Sequence, residues 1–322
     1  STSAPLAGGG LVFDVADSPA GLPFERAGSP RIDHGRFVRV DLGGFRCHET
    51  GPPRTLSTAM NFTADPTFNL ALTVAFAIVA LTLVAAPFIA SPYGRFATDR
   101  FGMSLDPRVG WFLMELPATL LFFWVYLRSP ERAEPFAMFV AFVWGVHYLN
   151  RGFLMPLFMR VPKGQKSSFG LMVVMIGWVV TSLHGYLNAT WTTALFPERG
   201  TAWFTDPRFI VGVTLYYGGL LVNLHSDHIL RTLRTKDEVA RGERHYRIPQ
   251  GGLFRYVTNP SYFSELVFWI GFAIFTWSPA GIYIFAISAA NLVPRAVATH
   301  KWYQERFPDY PKDRKALIPF IW

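Results

Sequence analysis

The sequence predicts an all-α membrane protein, a bundle of seven transmembrane helices. Composition is the first sign: 51% of the 322 residues are hydrophobic and only 16% are charged, whereas soluble domains carry about a quarter charged residues. The second is that the apolar residues gather in long uninterrupted runs, the pattern of membrane spans rather than of a large soluble core. Polar, largely basic loops between the runs are the third.

Residues 1–68 stand apart. They are rich in Gly, Pro, Ser and Arg and contain no run long enough to span a bilayer. They are expected to form a poorly ordered or peripheral extension ahead of a membrane domain over 69–322. No basic-then-apolar leader opens the sequence, and Met60, just before the first apolar run, is an alternative start. The single cysteine, Cys47, excludes an intrachain disulfide and a cysteine-based metal site.

A spanning helix needs roughly 20 mostly apolar residues. Segments 69–90, 111–127, 135–158, 169–191, 207–229, 258–277 and 280–299 qualify, the second being short. Only Ser278-Pro279 separates the last two, which predicts a tight turn. The net charge of +8 suits loops beside anionic headgroups. No compact basic domain stands apart from the apolar runs, so nucleic acid is not an expected partner. Most loop Lys and Arg residues fall in loops one, three and five and in the C-terminal tail, which puts that side in the cytoplasm. The N-terminal segment, with six Arg, then lies on the opposite side, against a rule that long tails follow weakly. The sequence does not fix the oligomeric state, and a monomer is one expectation.

Ionisable groups inside a bilayer cost several kcal/mol unless they meet protein partners or water, so each is a functional candidate. Here they are Glu115, Arg151, Asp227, Glu265 and Arg295, with His147, Tyr148 and Asn223 nearby. Asn223, Asp227, Arg231 and Arg234 recur at helical spacing and share one face. Ser261 and Glu265 form an i, i+4 pair, and Arg295, Thr299 and Tyr303 repeat the pattern in the last span. The three stripes converge at one membrane face. Arginines, carboxylates and an amide suit a large polyanion such as a dinucleotide; a headgroup-facing ion-pair network is the plainer alternative.

Glu115, Tyr148 and Arg151 also admit two readings. A protonated carboxyl beside a tyrosine hydroxyl can donate hydrogen bonds to a ketone oxygen; alternatively, Glu115 only pairs with Arg151. Between spans five and six runs Tyr246-Arg247-Ile248-Pro249-Gln250-Gly251-Gly252-Leu253-Phe254. Its Gly pair permits close backbone approach and its Pro excludes a regular helix. With no GxGxxG and no preceding strand, it is not a Rossmann fingerprint.

Several stretches together resemble the steroid 5α-reductase family. They are Asn223-Leu224-His225-Ser226-Asp227, the Tyr246-to-Phe254 loop, and the closing Asp309-Tyr310-Pro311-Lys312-Asp313-Arg314-Lys315-Ala316-Leu317-Ile318-Pro319-Phe320. Upstream, Trp111-Phe112-Leu113-Met114-Glu115-Leu116-Pro117 and His147-Tyr148 also look like the family pattern. The resemblance covers about 93–322.

It implies a seven-helix fold that holds NADPH in its cytoplasmic half and a steroid, or similar lipid enone, in a cavity toward the bilayer. By resemblance, Glu115 and Tyr148 bind the C3 ketone. Arg151, Asn223, Asp227, Arg231, Arg234, Tyr246, Arg247, Ser261, Glu265, Arg295 and Tyr303 would line the cofactor site, with Lys163, Lys166 or Arg234 meeting the 2′-phosphate. Hydride would go to C5 of a Δ4-3-keto steroid, and no metal is called for. Two departures stand out: Met114 replaces a Gln common before the Glu, and Ser261 and Thr299 replace an Asn and a His. The rival within the fold reduces another lipid double bond, in a polyprenol, enoyl lipid or sterol. Asn259-Pro260-Ser261-Tyr262 with Glu265 echoes isoprenylcysteine carboxyl methyltransferases, but the Gln250-Gly251-Gly252 loop and the Glu115/Tyr148 pair argue against that class.

Overall fold

The computed structural model describes residues 63–86, 88, 103–161, 169–196, 199–243 and 245–322. The extension before residue 63, with Cys47 and Met60, lies outside the described residues, as do Lys163 and Lys166. The described chain is all-α, apart from a two-residue antiparallel pairing of β1 (Ser104–Leu105) with β2 (Phe169–Gly170). Its helices are α1 (Pro66–Ala85), α2 (Pro107–Arg128), α3 (Pro135–Tyr148), the short α4 (Met155–Leu157), α5 (Leu171–Thr190), α6 (Pro207–Thr232), α7 (Lys236–Ala240), α8 (Pro260–Thr276) and α9 (Pro279–Arg306).

Local sequence explains where most of them begin. Pro occupies the first turn of α1, α2, α3, α6, α8 and α9, where its missing N–H costs no hydrogen bond. Asp65, Asp106, Asp206 and Ser278 accept from the exposed amides of four of these turns, as N-cap residues do.

Five helical stretches are long and apolar enough to cross a membrane: Pro66–Ala85, Pro107–Arg128, Leu171–Leu195, Pro207–Thr232 and Pro279–Arg306. Their outward faces remain apolar, with Leu70, Leu81, Leu120, Ile176, Leu221 and Ile282 all exposed. Water would not tolerate such a surface, whereas hydrocarbon does. The chain is an all-α membrane protein. Of the other two expected spans, 258–277 becomes α8, only 17 residues long. The segment 135–158 becomes α3 and α4 joined by a wider helical turn over Leu149–Leu154.

The aromatic core lies among α3, α6, α8 and α9, with Trp144, Tyr148, Tyr216, Phe272, Phe275 and Tyr283 fully buried. Within it, α6 and α8 approach until their backbones touch. A Cβ on Gly212 would stand 2.4 Å from the Phe275 amide nitrogen, one on Gly219 2.8 Å from that of Phe268, and one on Gly271 2.6 Å from that of Tyr216. Small residues allow such contact, and in a membrane packing of this kind drives helix association.

Gly218 provides an internal control, because a Cβ there meets nothing within 4 Å. Gly218→Ala should raise the thermal unfolding midpoint slightly, since Ala favours a helix over Gly by about 1 kcal/mol. Gly212→Ala should lower it by several degrees, because overpacking costs about 1–3 kcal/mol. Equal shifts in detergent melting curves would show that the seam does not hold the two helices.

Candidate active site

The site begins with a proline. Pro117 lies inside α2 and has no N–H for the Leu113 carbonyl four residues earlier. Trp178 of α5 donates its indole N–H to that carbonyl at 2.6 Å, and Thr181 donates its hydroxyl to the next one, on Met114, at 2.9 Å. The broken turn is thereby clamped to α5, and it carries Glu115, whose side chain is buried. Opposite, the widened turn after Tyr148 brings Arg151 toward the same region. Wide turns of this kind recur at functional sites.

Arg151 is the hub. Its guanidinium donates to Glu265 of α8 at 3.3 Å and lies 3.9 Å from Glu115 of α2. It stands 4.6 Å above the Trp111 ring, while the Trp111 indole donates to the Arg151 carbonyl at 3.2 Å. Three elements distant in sequence therefore share one cation. Tyr148, 2% exposed, lies within electrostatic reach of Glu115 and sets its hydroxyl 3.4 Å from His184 Nδ1.

One turn along the α6–α8 seam, Asn223 donates to the Ser261 carbonyl at 2.8 Å and to the Ser264 hydroxyl at 3.2 Å. Ser261 donates to Asp227 at 2.7 Å. Asp227 in turn lines a cavity of about 610 Å³ together with Trp111, Asn150, Arg151, Arg160, Arg231 and Arg234. Its remaining wall includes Leu154, Met155, Phe158 and Leu224. An apolar wall with a few convergent charged groups is the usual character of a small-molecule site.

The other residues singled out from sequence are not among the lining residues of this cavity. Arg295 donates to the Tyr262 hydroxyl at 2.9 Å, and Tyr303 stacks on Tyr310 with ring centres 5.4 Å apart. Tyr246 packs edge-on against Trp302 at 4.9 Å, with Arg234 5.6 Å from its ring. Thr299 is buried in α9. Met114 packs against Gly177 of α5, where an added Cβ would meet its side chain at 2.3 Å.

The Tyr246-to-Phe254 loop is tied down at Arg247 and at Pro249-Gln250. Arg314 of the C-terminal tail donates to the Pro249 carbonyl at 3.2 Å and to Gln250 at 3.3 Å. Gly251 and Gly252 have φ of +87° and +49°, and a Cβ on Gly252 would strike the His225 ring at 2.7 Å. Arg247 is not among the cavity residues and donates to the Leu233 carbonyl and to both oxygens of Glu238.

Sequence reasoning missed His184. Thr181, His184, Asn188 and Thr192 are all buried, at helical spacing along α5 and its extension. That polar stripe was readable, but a lone His in an apolar run carries little weight. The glycine seam was missed too, although Gly212 and Gly219 stand seven residues apart, as do Ser264 and Gly271.

Fold and site together define a multi-pass membrane protein with a partly buried charged hub beside an apolar-walled cavity. Residues 167–322 match a family model described as 3-oxo-5-alpha-steroid 4-dehydrogenase. The chain is 35% identical over 243 residues to a steroid 5-alpha-reductase DET2 of Solanum lycopersicum, covering 75% of this chain and 91% of that protein. It is 36% identical over 249 residues to 3-oxo-5-alpha-steroid 4-dehydrogenase 1 of Rattus norvegicus, covering 75% and 90%. Against the Homo sapiens protein of that name, identity is 36% over 240 residues, covering 72% and 86%. The chain belongs to the steroid 5α-reductase family and is an oxidoreductase acting on CH–CH groups.

The Glu238 bridge yields a test. Hydrogen bonds from the Arg247 side chain, and next from the Thr235 amide, hold the Glu238 carboxyl down at about 2, from 4.5. Because the folded value lies below the unfolded one, the stabilisation is complete above about pH 4.5 and is lost as pH falls toward 2. Glu238→Gln should therefore be cut by trypsin at Arg241 and Arg247 several-fold faster than wild type near neutral pH. With pepsin near pH 2 the two proteins should be cut alike. Equal tryptic rates would show that other contacts hold this loop.

Proposed function

We propose that the protein reduces the C4–C5 double bond of Δ4-3-keto steroids to 5α-3-keto products with NADPH. The observation that carries this reading is the shared Arg151. It links Glu115, beside Tyr148, to Glu265 and to the cavity lined by Asp227. A ketone-binding pair and a polar cofactor stripe then meet at one point, as reduction of an enone requires.

The donor set fits a dinucleotide phosphate. Arg160, Arg231 and Arg234 at the cavity suit phosphate oxygens. Asn223, Asp227, Ser261 and Glu265 offer amide, hydroxyl and carboxylate partners for the sugar and base groups. Arg295, Tyr246, Arg247 and Tyr303 belong to this proposal as the shell that holds the stripe and its loop. NADPH, when bound, supplies the hydride that reaches C5.

As C5 is reduced, negative charge moves onto the C3 oxygen. Glu115, as an acid, and Tyr148 donate hydrogen bonds that strengthen as this charge grows, which selectively stabilises the transition state. Arg151 lies 3.3 Å from Glu265 and 3.9 Å from Glu115. Its charge is thus shared rather than committed to Glu115, which is compatible with a role of Glu115 toward substrate. The apolar walls keep water from competing with these bonds.

The architecture belongs to the same proposal. With α8 at 17 residues and α3 continued through the wide turn to α4, the bundle has seven spans. Basic loops put the cavity and C-terminus in the cytoplasm. A cofactor reached from the cytoplasm and a steroid reached from the bilayer then never compete for one route.

Turnover of a Δ4-3-keto steroid with NADPH, followed by mass detection of the dihydro product, tests the reading. Glu115→Gln keeps a donor and should retain part of the rate. Glu115→Ala and Tyr148→Phe should each lose about 10²–10³-fold, the usual cost of one oxyanion-type donor. The double variant should lose less than the product of the two, because both groups act on one oxygen. NADPH affinity should hardly change in any of them. Glu115→Ala protein that reduces steroid at the wild-type rate would leave Glu115 as no more than a counter-ion for Arg151.

A further inference from the structure

The Tyr148 hydroxyl raises a question of direction. A phenol has one proton to give. If it goes to His184 Nδ1, 3.4 Å away, none is left for a ketone. The rest of the imidazole decides which way the bond runs. His184 is 8% exposed, and its Nε2 is fully buried with no hydrogen-bond partner among the described residues. The ring lies edge-on to Tyr283, with centres 5.3 Å apart.

Were Nδ1 the bare acceptor, Nε2 would carry the proton as a stranded donor, and orphaned buried N–H groups are rare. The other tautomer has Nδ1–H donating to the Tyr148 oxygen and leaves only a lone pair at Nε2. Tyr148 then keeps its own proton and must turn it elsewhere.

We propose that His184 is a positioning residue for Tyr148: its Nδ1–H donates to the phenol oxygen, frees the phenol proton for the substrate carbonyl and makes it a stronger donor. The inference rests on the reading of Glu115 and Tyr148 as the ketone-binding pair. The backbone fixes the imidazole in this role. Gly185, the next residue, lets α5 sit against α2 so closely that a Cβ there would meet the Ala118 carbonyl oxygen at 2.7 Å. The His184 carbonyl is itself held by the Asn188 side chain at 3.0 Å. A chain of donors thus runs from α5 through Tyr148 on α3 to the substrate oxygen. Bonds arranged in series polarise one another, which strengthens the last of them.

The test is a variant series read as kcat with steroid and NADPH. An Asn amide overlies the Nδ1 position of His, whereas a Gln amide reaches the Nε2 position. His184→Asn should keep kcat within about threefold of wild type, and His184→Gln and His184→Leu should lose about tenfold, the scale of one hydrogen bond. NADPH affinity should be unchanged throughout. In a Tyr148→Phe background, adding His184→Leu should cost nothing more, because the group it acts through is gone.

If His184→Leu does not fold, the Asn-against-Gln comparison still decides. Equal rates for those two, or losses that multiply in the double variant, would overturn the positioning role while leaving the ketone-binding pair standing. Tyr148→Phe turning over at the wild-type rate would overturn the pair itself, and this inference with it.

Discussion

Where α6 and α8 cross, no side chain separates the two backbones. The contact at Gly212, Gly219 and Gly271 sets the distance between the helices, and the polar pairs further along follow from it. Asn223 bridges to the Ser261 carbonyl at 2.8 Å, and Ser261 bridges to Asp227 at 2.7 Å, because the helices have already been drawn together. Inside a bilayer the hydrophobic effect offers no drive between helices, so packing of small residues carries more of the association. The same seam sets Glu265 on α8 within reach of Arg151. A wider crossing would break the Ser261–Asp227 bond and draw Glu265 away from Arg151.

A second constraint acts on the other half of the site. Helical backbone in a membrane must have its carbonyls satisfied, yet Pro117 removes one donor two residues after Glu115. The protein answers with Trp178 and Thr181, side chains of α5 that bond to the Leu113 and Met114 carbonyls. α5 therefore both supports the broken turn that carries Glu115 and presents His184 to Tyr148. This division separates support from reaction: α2 and α3 bear the groups proposed to meet the substrate, and α5 orients them. The C-terminal tail plays a like part for the glycine loop, with Arg314 binding the Pro249 carbonyl and Gln250.

Much of this was legible in the sequence because it is local or periodic. Of the seven spans read from the apolar runs, five are helices of membrane length, and of the stripe Asn223, Asp227, Arg231 and Arg234 the last three line the cavity. The charges that stood out in hydrocarbon, Glu115, Arg151 and Glu265, do meet. What could not be read depends on contacts between distant segments. The closeness of α6 and α8 is a property of two helices, and the glycines of either one alone look incidental. The widened turn at Leu149–Leu154 has no local breaker in its first residues. Arg247 belongs to a conspicuous motif, yet its partner is Glu238, nine residues back in the same connection. Proximity in the chain supplied a counter-ion that motif reasoning overlooked.

In the proposed reaction, a bound nicotinamide and the Glu115/Tyr148 pair act on opposite ends of the same enone. Isotope transfer tests it most directly. The purified protein would be given a Δ4-3-keto steroid and NADPH deuterated at both C4 positions of the nicotinamide, in ordinary water, and the product analysed by mass spectrometry and NMR. One deuterium at steroid C5, with hydrogen from solvent at C4, is the predicted result. A reduced product with no deuterium at C5, or a steroid recovered unchanged while the labelled cofactor stays intact, would contradict it.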